Sequence, residues 1–316
     1  MKFIDSSVEI VKEENPLIKI EKIGRICYKS ESDYTIDTAI AFIKGLIKRG
    51  HLSVLEHAVF VFEGAYSTYR GKPFVNSSYV YHKDVTRRLI SCNLRAIIEQ
   101  GYYDLQNALI KHYPRLSEIF DMDKLNWLNK YEFADVKLVN LLDYKNLTPE
   151  EVQAHLYTTF KFITDRGVSH EMVRHRIASY TQESTRYCNY SNDKFGNELT
   201  FIRPATFEEW EPECRVIYMQ SLEKAEKEYM ELTNKGLPAQ FARGVLPTDV
   251  KTIIVMTANY NEMNHFFDLR SRGVTGSPHP NMKKVASMAD ELFYSEYKEL
   301  FENIYKESAE KTLPID

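Results

Sequence analysis

The run Leu156-Tyr157-Thr158-Thr159-Phe160-Lys161-Phe162-Ile163, followed shortly by Asp165, decides how the chain is laid out. It is rich in threonine, phenylalanine and tyrosine and alternates in part, so it reads as a pleated strand. Asp165 is suited to cap a helix, which is expected to run to about Arg176. A strand that feeds a helix at this point marks the centre of a mixed fold.

Upstream, Val8 to Val11 reads as a short strand, and Asn15-Pro16 opens a helix with Ile20, Ile23 and Cys27 on its apolar stripe. A second helix follows Asp37, with Ile40, Ile43 and Ile47 on one face and Gly50 at its end. Val54 to Phe62 reads as a strand. Helices are expected over Asp84 to Glu99 and Leu105 to His112, with a strand over Asp135 to Leu142. Downstream, Thr206 starts a long helix that ends near Gly236, with Glu208 and Glu209 in its first turn. Asp249 to Thr257 is a strand, Asn261 to Ser271 a helix, and Asn281 to Lys306 a final helix. The expected fold is α+β: a mixed or antiparallel sheet core with packed helices. Residues 1–63 and 155–316 form the core, and 64–154 is a mainly helical insertion.

Composition narrows the function classes. The chain has 316 residues, with 41 Lys and Arg against 45 Asp and Glu, a net charge of −4. That balance argues against a protein built to coat nucleic acid. Hydrophobic residues at 43% and charged residues at 27% are globular values. Mean hydropathy is −0.42, and no apolar run approaches the roughly 20 residues of a membrane span. Met1 to Asn15 is charged throughout and has no secretory apolar region. The four cysteines, Cys27, Cys92, Cys188 and Cys214, form no C-x-x-C pair and match no zinc template. A reduced, cytoplasmic chain without a metal is expected.

Three clusters carry chemistry. The first is Arg174-His175-Arg176-Ile177-Ala178-Ser179-Tyr180-Thr181-Gln182-Glu183-Ser184-Thr185-Arg186-Tyr187. Its charge is nearly all guanidinium, interleaved with hydroxyls and an amide. Guanidinium forks bind phosphate in a bidentate way. The alternative is an arginine network paired with Glu171, Glu183 or Asp193. The second is His51-Leu52-Ser53-Val54-Leu55-Glu56-His57, which reads as extended and lacks the i, i+4 histidines of a zinc helix. An ordinary, hydrogen-bonded histidine is the competing reading of His51 and His57. The third joins Arg243-Gly244-Val245-Leu246-Pro247 to Asn259, Asn261, His265 and Arg270 near a strand–helix junction. Amides and arginine there suit a base edge and a phosphate, and helix capping is the alternative. No glycine-rich dinucleotide loop, P-loop or nucleophile elbow is present.

Taken together, these clusters resemble the flavin-dependent thymidylate synthases. Arg174-His175-Arg176, seven further residues and Ser184 match that family's signature, which continues into Arg186-Tyr187. The His51 to His57 and Arg243 to Pro247 segments match its flanking motifs in the same order. The resemblance implies reductive methylation of deoxyuridine monophosphate (dUMP) to dTMP. Methylenetetrahydrofolate supplies the carbon, FADH2 the hydride, and NADPH re-reduces the flavin. It also implies a homotetramer with sites shared between subunits, and no nucleic-acid or membrane partner. Two rival readings stand beside it: a flavoprotein modifying another pyrimidine nucleotide, and a non-catalytic nucleotide- or RNA-binding module.

Site roles follow from the resemblance residue by residue. Arg270, His51 and Ser184 are the catalytic candidates. Arg270 would stabilise charge on the pyrimidine, while Ser184 would position the nucleotide, since no general base adjoins it. Ser53, Glu56, Arg174, His175, Arg176, Gln182, Asn259, Asn261 and His265 match flavin-binding positions. Glu171, Arg174, Gln182, Glu183, Ser184, Thr185, Arg186, Arg243 and Arg270 match nucleotide-binding positions. Four residues depart from the family's common choices. Thr181 and His265 stand where Asn is frequent, Gln182 where Glu is frequent, and Asn261 where Arg is frequent.

Overall fold

The computed structural model describes residues 1–30, 33–64, 80–82, 89–128, 136–143, 147–192 and 196–302. The chain begins with two short strands, β1 (Lys2–Ile4) and β2 (Ser7–Ile10). Helices α1 (Pro16–Ile26) and α2 (Ile36–Arg49) follow. Asn15 caps α1, its side chain accepting the Leu17 N–H at 3.0 Å. Gly50 ends α2 in the left-handed conformation, with φ of 71°. Beyond a 3₁₀ turn (Leu52–His57) come β3 (Val59–Gly64), β4 (Val80–His82) and β5 (Leu89–Asn93). Next are α3 (Leu94–Glu99), α4 (Tyr103–His112), α5 (Met122–Leu128), β6 (Val136–Val139) and α6 (Pro149–His155). The remainder holds β7 (Tyr157–Asp165), α7 (Arg166–Met172), β8 (Ser179–Gln182), β9 (Thr200–Ile202) and α8 (Pro212–Asn234). It ends with α9 (Ala239–Ala242), β10 (Lys251–Asn259), α10 (Tyr260–Arg270) and α11 (Pro280–Glu296).

The central sheet has the order β2-β7-β10-β8, with every pairing antiparallel. A second antiparallel sheet has the order β4-β5-β3-β6, and β1 pairs β9 in parallel. The fold is therefore α+β, as the sequence predicts. One face of the central sheet sends Phe160, Phe162, Ile254 and Met256 into a core with Phe266, Phe267, Val285 and Phe293. From β10, Val255 joins a second core with Ile20, Ile40, Leu55 and Phe62. Each fully buried phenylalanine of this kind contributes about 1.5–3 kcal/mol. Between Gly64 and Leu156 helices predominate, but β5 and β6 flank β3, so the second sheet crosses the expected boundary of the insertion.

Several expectations need correction. Val54 to His57 is not strand but 3₁₀ turn, and β3 starts only at Val59. Four consecutive residues, Val54 to His57, are buried there, which an alternating strand would not achieve. The described part of Asp84 to Glu99 is a strand and then a helix; residues 84–88 lie outside the described residues. All five residues of β5 are buried, and a short apolar run of that kind fits either element. The helix after Asp165 ends at Met172, so the arginine motif lies in the turn beyond it. The long helix starts at Pro212, not Thr206, because proline cannot continue a helix begun before it. The final helix breaks at Glu296, and residues 303–306 of that expectation lie outside the described residues.

A polar ladder runs through this apolar frame. The ring of buried His57 meets Thr257 Oγ1 at 2.7 Å through Nδ1 and Thr181 Oγ1 at 2.9 Å through Nε2. Thr257 Oγ1 in turn meets Thr159 Oγ1 at 2.7 Å. The ladder ties the 3₁₀ turn to β7, β8 and β10. Burial, reinforced by the Lys19 charge, holds the His57 pKa down to about 3. The unfolded chain takes up this proton near pH 6.5, so it binds more protons than the folded state between about 6.5 and 3. Stability from this residue is complete above that window and falls as pH drops through it, by up to about 1.4 kcal/mol per unit. Melting temperature should therefore decline from pH 7 to pH 4, and His57→Gln should flatten the decline. Equal slopes in the two proteins would contradict this account.

Candidate functional site

Antiparallel pairing places the arginine motif. β7 delivers α7, α7 delivers Arg174 to Arg176, and β8 returns beside β10. Asp165 caps α7, accepting the Val168 N–H at 2.7 Å. The turn after α7 is pinned by the Tyr180 hydroxyl, which donates to the Met172 carbonyl at 2.8 Å and the His175 carbonyl at 3.0 Å.

At the end of α10, Arg270 Nε donates to His175 Nε2 at 3.1 Å, and Arg270 Nη1 donates to Glu171 Oε2 at 2.9 Å. The His175 ring also meets Phe266 edge-on, with centroids 5.1 Å apart, and His265 at 5.9 Å. Burial lowers the His175 pKa to about 4, and the charge of Arg270 adds to the effect. A neutral imidazole can accept the Nε–H, so His175 and Glu171 together orient the guanidinium. The Glu171 carboxylate is partly exposed, so the pair contributes at most about 1 kcal/mol to stability. Arg270 is held in place without being essential to folding.

The other arginines behave differently. Among the described residues, Arg174, Arg176 and Arg186 have no carboxylate partner, whereas Arg25, Arg95, Arg203 and Arg272 all do. Arg174 and Arg176 are exposed, as are Asn261 and His265 one turn apart on α10. Arg186 lies over its neighbour Tyr187, 5.7 Å from the ring centroid. The arginine-network alternative thus applies to Arg270 with Glu171 and not to the exposed three. Asp193 lies outside the described residues.

Glu183 is consumed internally. Its buried carboxylate accepts from Lys251 Nζ at 2.5 Å and from the Tyr190 hydroxyl at 3.0 Å. Gln182 Nε2 donates to Ser169 Oγ at 2.8 Å and Thr252 Oγ1 at 3.1 Å. Thr185 is buried and accepts from Arg243 Nη1 at 3.3 Å. Ser184 Oγ accepts the Arg186 N–H at 3.2 Å, and among the described residues no general base bonds to it. No convincing thiol nucleophile competes, since burial pushes the Cys188 thiol up to about 11.

Glu56 and Asn259 line one narrow cleft with Ile177, Ala178 and Ser179, about 20 Å³ in volume. Both have structural duties as well. Glu56 pairs with Arg95 at 2.6 Å, and Asn259 caps α10 through the Glu262 N–H at 3.0 Å. His51 and Ser53 stand exposed on the 3₁₀ turn and, among the described residues, make no side-chain bond to the other candidates. His57 is the satisfied core histidine. Sequence reasoning missed Lys251, Tyr190 and Arg95, because nothing in local pattern marks an ion pair or hydrogen bond between distant segments, and it missed Arg166, which belongs to no motif.

The donor set suits an anionic, aromatic cofactor. Unpaired guanidiniums beside exposed amide and imidazole groups match a diphosphate, and the Glu56–Asn259 cleft adjoins them through Ile177. Glu183 gives a sharp test of the internal wiring. Glu183→Gln should cost about 3–5 kcal/mol in urea unfolding, as expected when a buried ion pair loses one partner. Unchanged stability would show that the carboxylate is free for another role.

The family described as "Thymidylate synthase complementing protein" matches residues 9–68 and 138–311. The flavin-dependent thymidylate synthase of Geobacter sulfurreducens is 38% identical over 105 residues, covering 33% of this chain and 43% of that protein. Those of Pyrococcus abyssi and Thermococcus kodakarensis are 32% identical over 143 residues and 36% over 139. These two cover 40% and 44% of this chain, and 57% and 54% of those proteins. The chain thus spans about half the length of these relatives. A solved UMP/dUMP methylase, PolB from Streptomyces cacaoi, is 14% identical over 93% of each chain with a TM-score of 0.41, too loose a likeness to carry an argument. Among the described residues no helix is long and apolar enough to cross a membrane. With the family matched across both the first flanking motif and the whole arginine segment, this chain belongs to the thymidylate synthase complementing proteins.

Proposed function

We propose that the chain is a flavin-dependent thymidylate synthase that converts dUMP to dTMP, with methylenetetrahydrofolate as carbon donor and NADPH as the source of reducing power. The observation that carries this reading is the bond from Arg270 to His175, which joins the last turn of α10 to the middle of the arginine motif. Reduced FAD, when bound, supplies the hydride that turns the transferred carbon into a methyl group.

The chain's own residues bind, orient and stabilise. Arg174, Arg186 and Arg243 hold the nucleotide phosphate as charge-assisted donors. Arg270, oriented by His175 and Glu171, stabilises negative charge that develops on the pyrimidine. Ser184 positions the nucleotide and does not attack it, for want of a base. Arg174, Arg176, Asn261 and His265 hold the flavin, with Glu56 and Asn259 as further contacts at its edge. His51 and Glu56 lie near the flavin and folate side, Ser53 meets the flavin, and each site is assembled from several subunits of a homotetramer. Residues 64–154 are an insertion on the shared core, consistent with the family match leaving 69–137 uncovered. The cytoplasm is the expected compartment.

The full mixture of chain, FAD, dUMP, methylenetetrahydrofolate and NADPH should yield dTMP. Arg270→Ala should lower turnover at least about 100-fold, a loss of about 2.7 kcal/mol in transition-state stabilisation, while the melting temperature moves by only about 2 °C. Near-normal turnover in that variant would remove Arg270 from the reaction. Arg174→Lys should raise KM about tenfold or more, because lysine cannot form the bidentate fork. Bound flavin with another pyrimidine as the only substrate would favour a related modifying enzyme. Nucleotide binding without flavin would favour a binding module.

A further inference from the structure

A guanidinium outside the motif sits where β7 passes into α7. Arg166 is half-buried, and its Nη1 reaches the Glu183 carbonyl and the Thr252 hydroxyl, each at 3.4 Å. These are long bonds for a charged donor. Among the described residues no carboxylate lies within ion-pair distance of it. Among the described residues the acid whose charge acts on it is Glu183, and both its oxygens are engaged by Lys251 and Tyr190. Burial and the like charge of Arg243 work against the charged form of Arg166, while Tyr190 and Glu183 favour it. Among the described residues the Arg243 side chain bonds to the Thr185 hydroxyl, next to Ser184.

Gln182 explains why Arg166 has no ion-pair partner among the described residues. Its amide shares the Thr252 hydroxyl with Arg166 and is fixed there by Ser169. A carboxylate at position 182 would share that hydroxyl and pair with the guanidinium. The neutral amide leaves half-buried Arg166, with exposed Arg243 near it, without an ion-pair partner among the described residues. For Arg166, partly withdrawn from water, an arriving anion would supply the missing partner.

We propose that Arg166 is a further phosphate-binding residue, acting with Arg243 on the nucleotide monophosphate, and that Gln182 keeps it available by being neutral. This rests on the nucleotide reading given above and adds to it a residue and a reason for the glutamine. The two guanidiniums select the phosphorylated nucleotide over the nucleoside.

The test is equilibrium binding of dUMP, and of deoxyuridine by competition, to the FAD-loaded full chain. Arg166→Met should weaken dUMP at least about tenfold while leaving deoxyuridine unchanged, Gln182→Glu should weaken dUMP at least about tenfold, and Arg166→Lys should fall between wild type and Arg166→Met. Binding of dUMP to Arg166→Met within twofold of wild type would overturn the proposal. So would an equal loss for both ligands, which assigns the arginine a structural role. If Arg166→Met does not fold, Gln182→Glu decides, because unchanged dUMP affinity there removes the argument. A wild-type chain that binds no dUMP defeats the functional reading and this proposal with it. Wild-type binding with unaffected variants defeats this proposal alone.

Discussion

Strand β10 is hydrogen-bonded on both edges, to β7 through nine residue pairs and to β8 through four. That double pairing is the constraint on which the rest depends. It sets the end of β7, and so the start of α7, beside Lys251 and Thr252. It brings β8 back so that Gln182 faces Thr252. It also launches α10 from Asn259, which carries Arg270 to His175. A slip of one residue would turn Phe160 and Ile254 out of the core and move every site residue to the wrong face. The His57 ladder protects against such a slip, because its two ring nitrogens need Thr257 and Thr181 in register.

Charge is distributed according to the job each group does. Surface arginines such as Arg203 and Arg272 have carboxylate partners, and pairs of this kind contribute little to stability. The buried Lys251–Glu183–Tyr190 triad is fully satisfied and fixes the floor under the loop that follows β8. Among the described residues, Arg174, Arg176 and Arg186 are left without carboxylates. An exposed cation without a partner is cheap in water and becomes valuable when a phosphate arrives. Arg270 is the intermediate case, lightly paired and held in orientation by a neutral histidine.

Much of the fold was legible in the sequence where a local rule operates alone. Asn15-Pro16, Gly50 and Asp165 each act as the capping rules say, because a cap needs only its own turn. Legibility failed where tertiary packing overrode local pattern. Leu89 to Cys92 has helical spacing, yet it is a strand because β3 and β4 lie on either side of it. The site was legible as a set of residue types and motifs but not as a wiring diagram. Glu183 looks like a nucleotide contact in the motif and is a buried ion pair in three dimensions. Arg166 has no motif at all, and only its distances to Thr252 and Glu183 draw it in.

The most direct measurement is a visible absorbance titration of the purified chain with FAD, followed by addition of dUMP. If the arginine motif, the α10 face and Arg270 form one site, flavin binds and its spectrum shifts when the nucleotide enters beside it. Failure to bind flavin, or bound flavin that does not respond to saturating dUMP, would contradict the claim that these elements make a single nucleotide–flavin site.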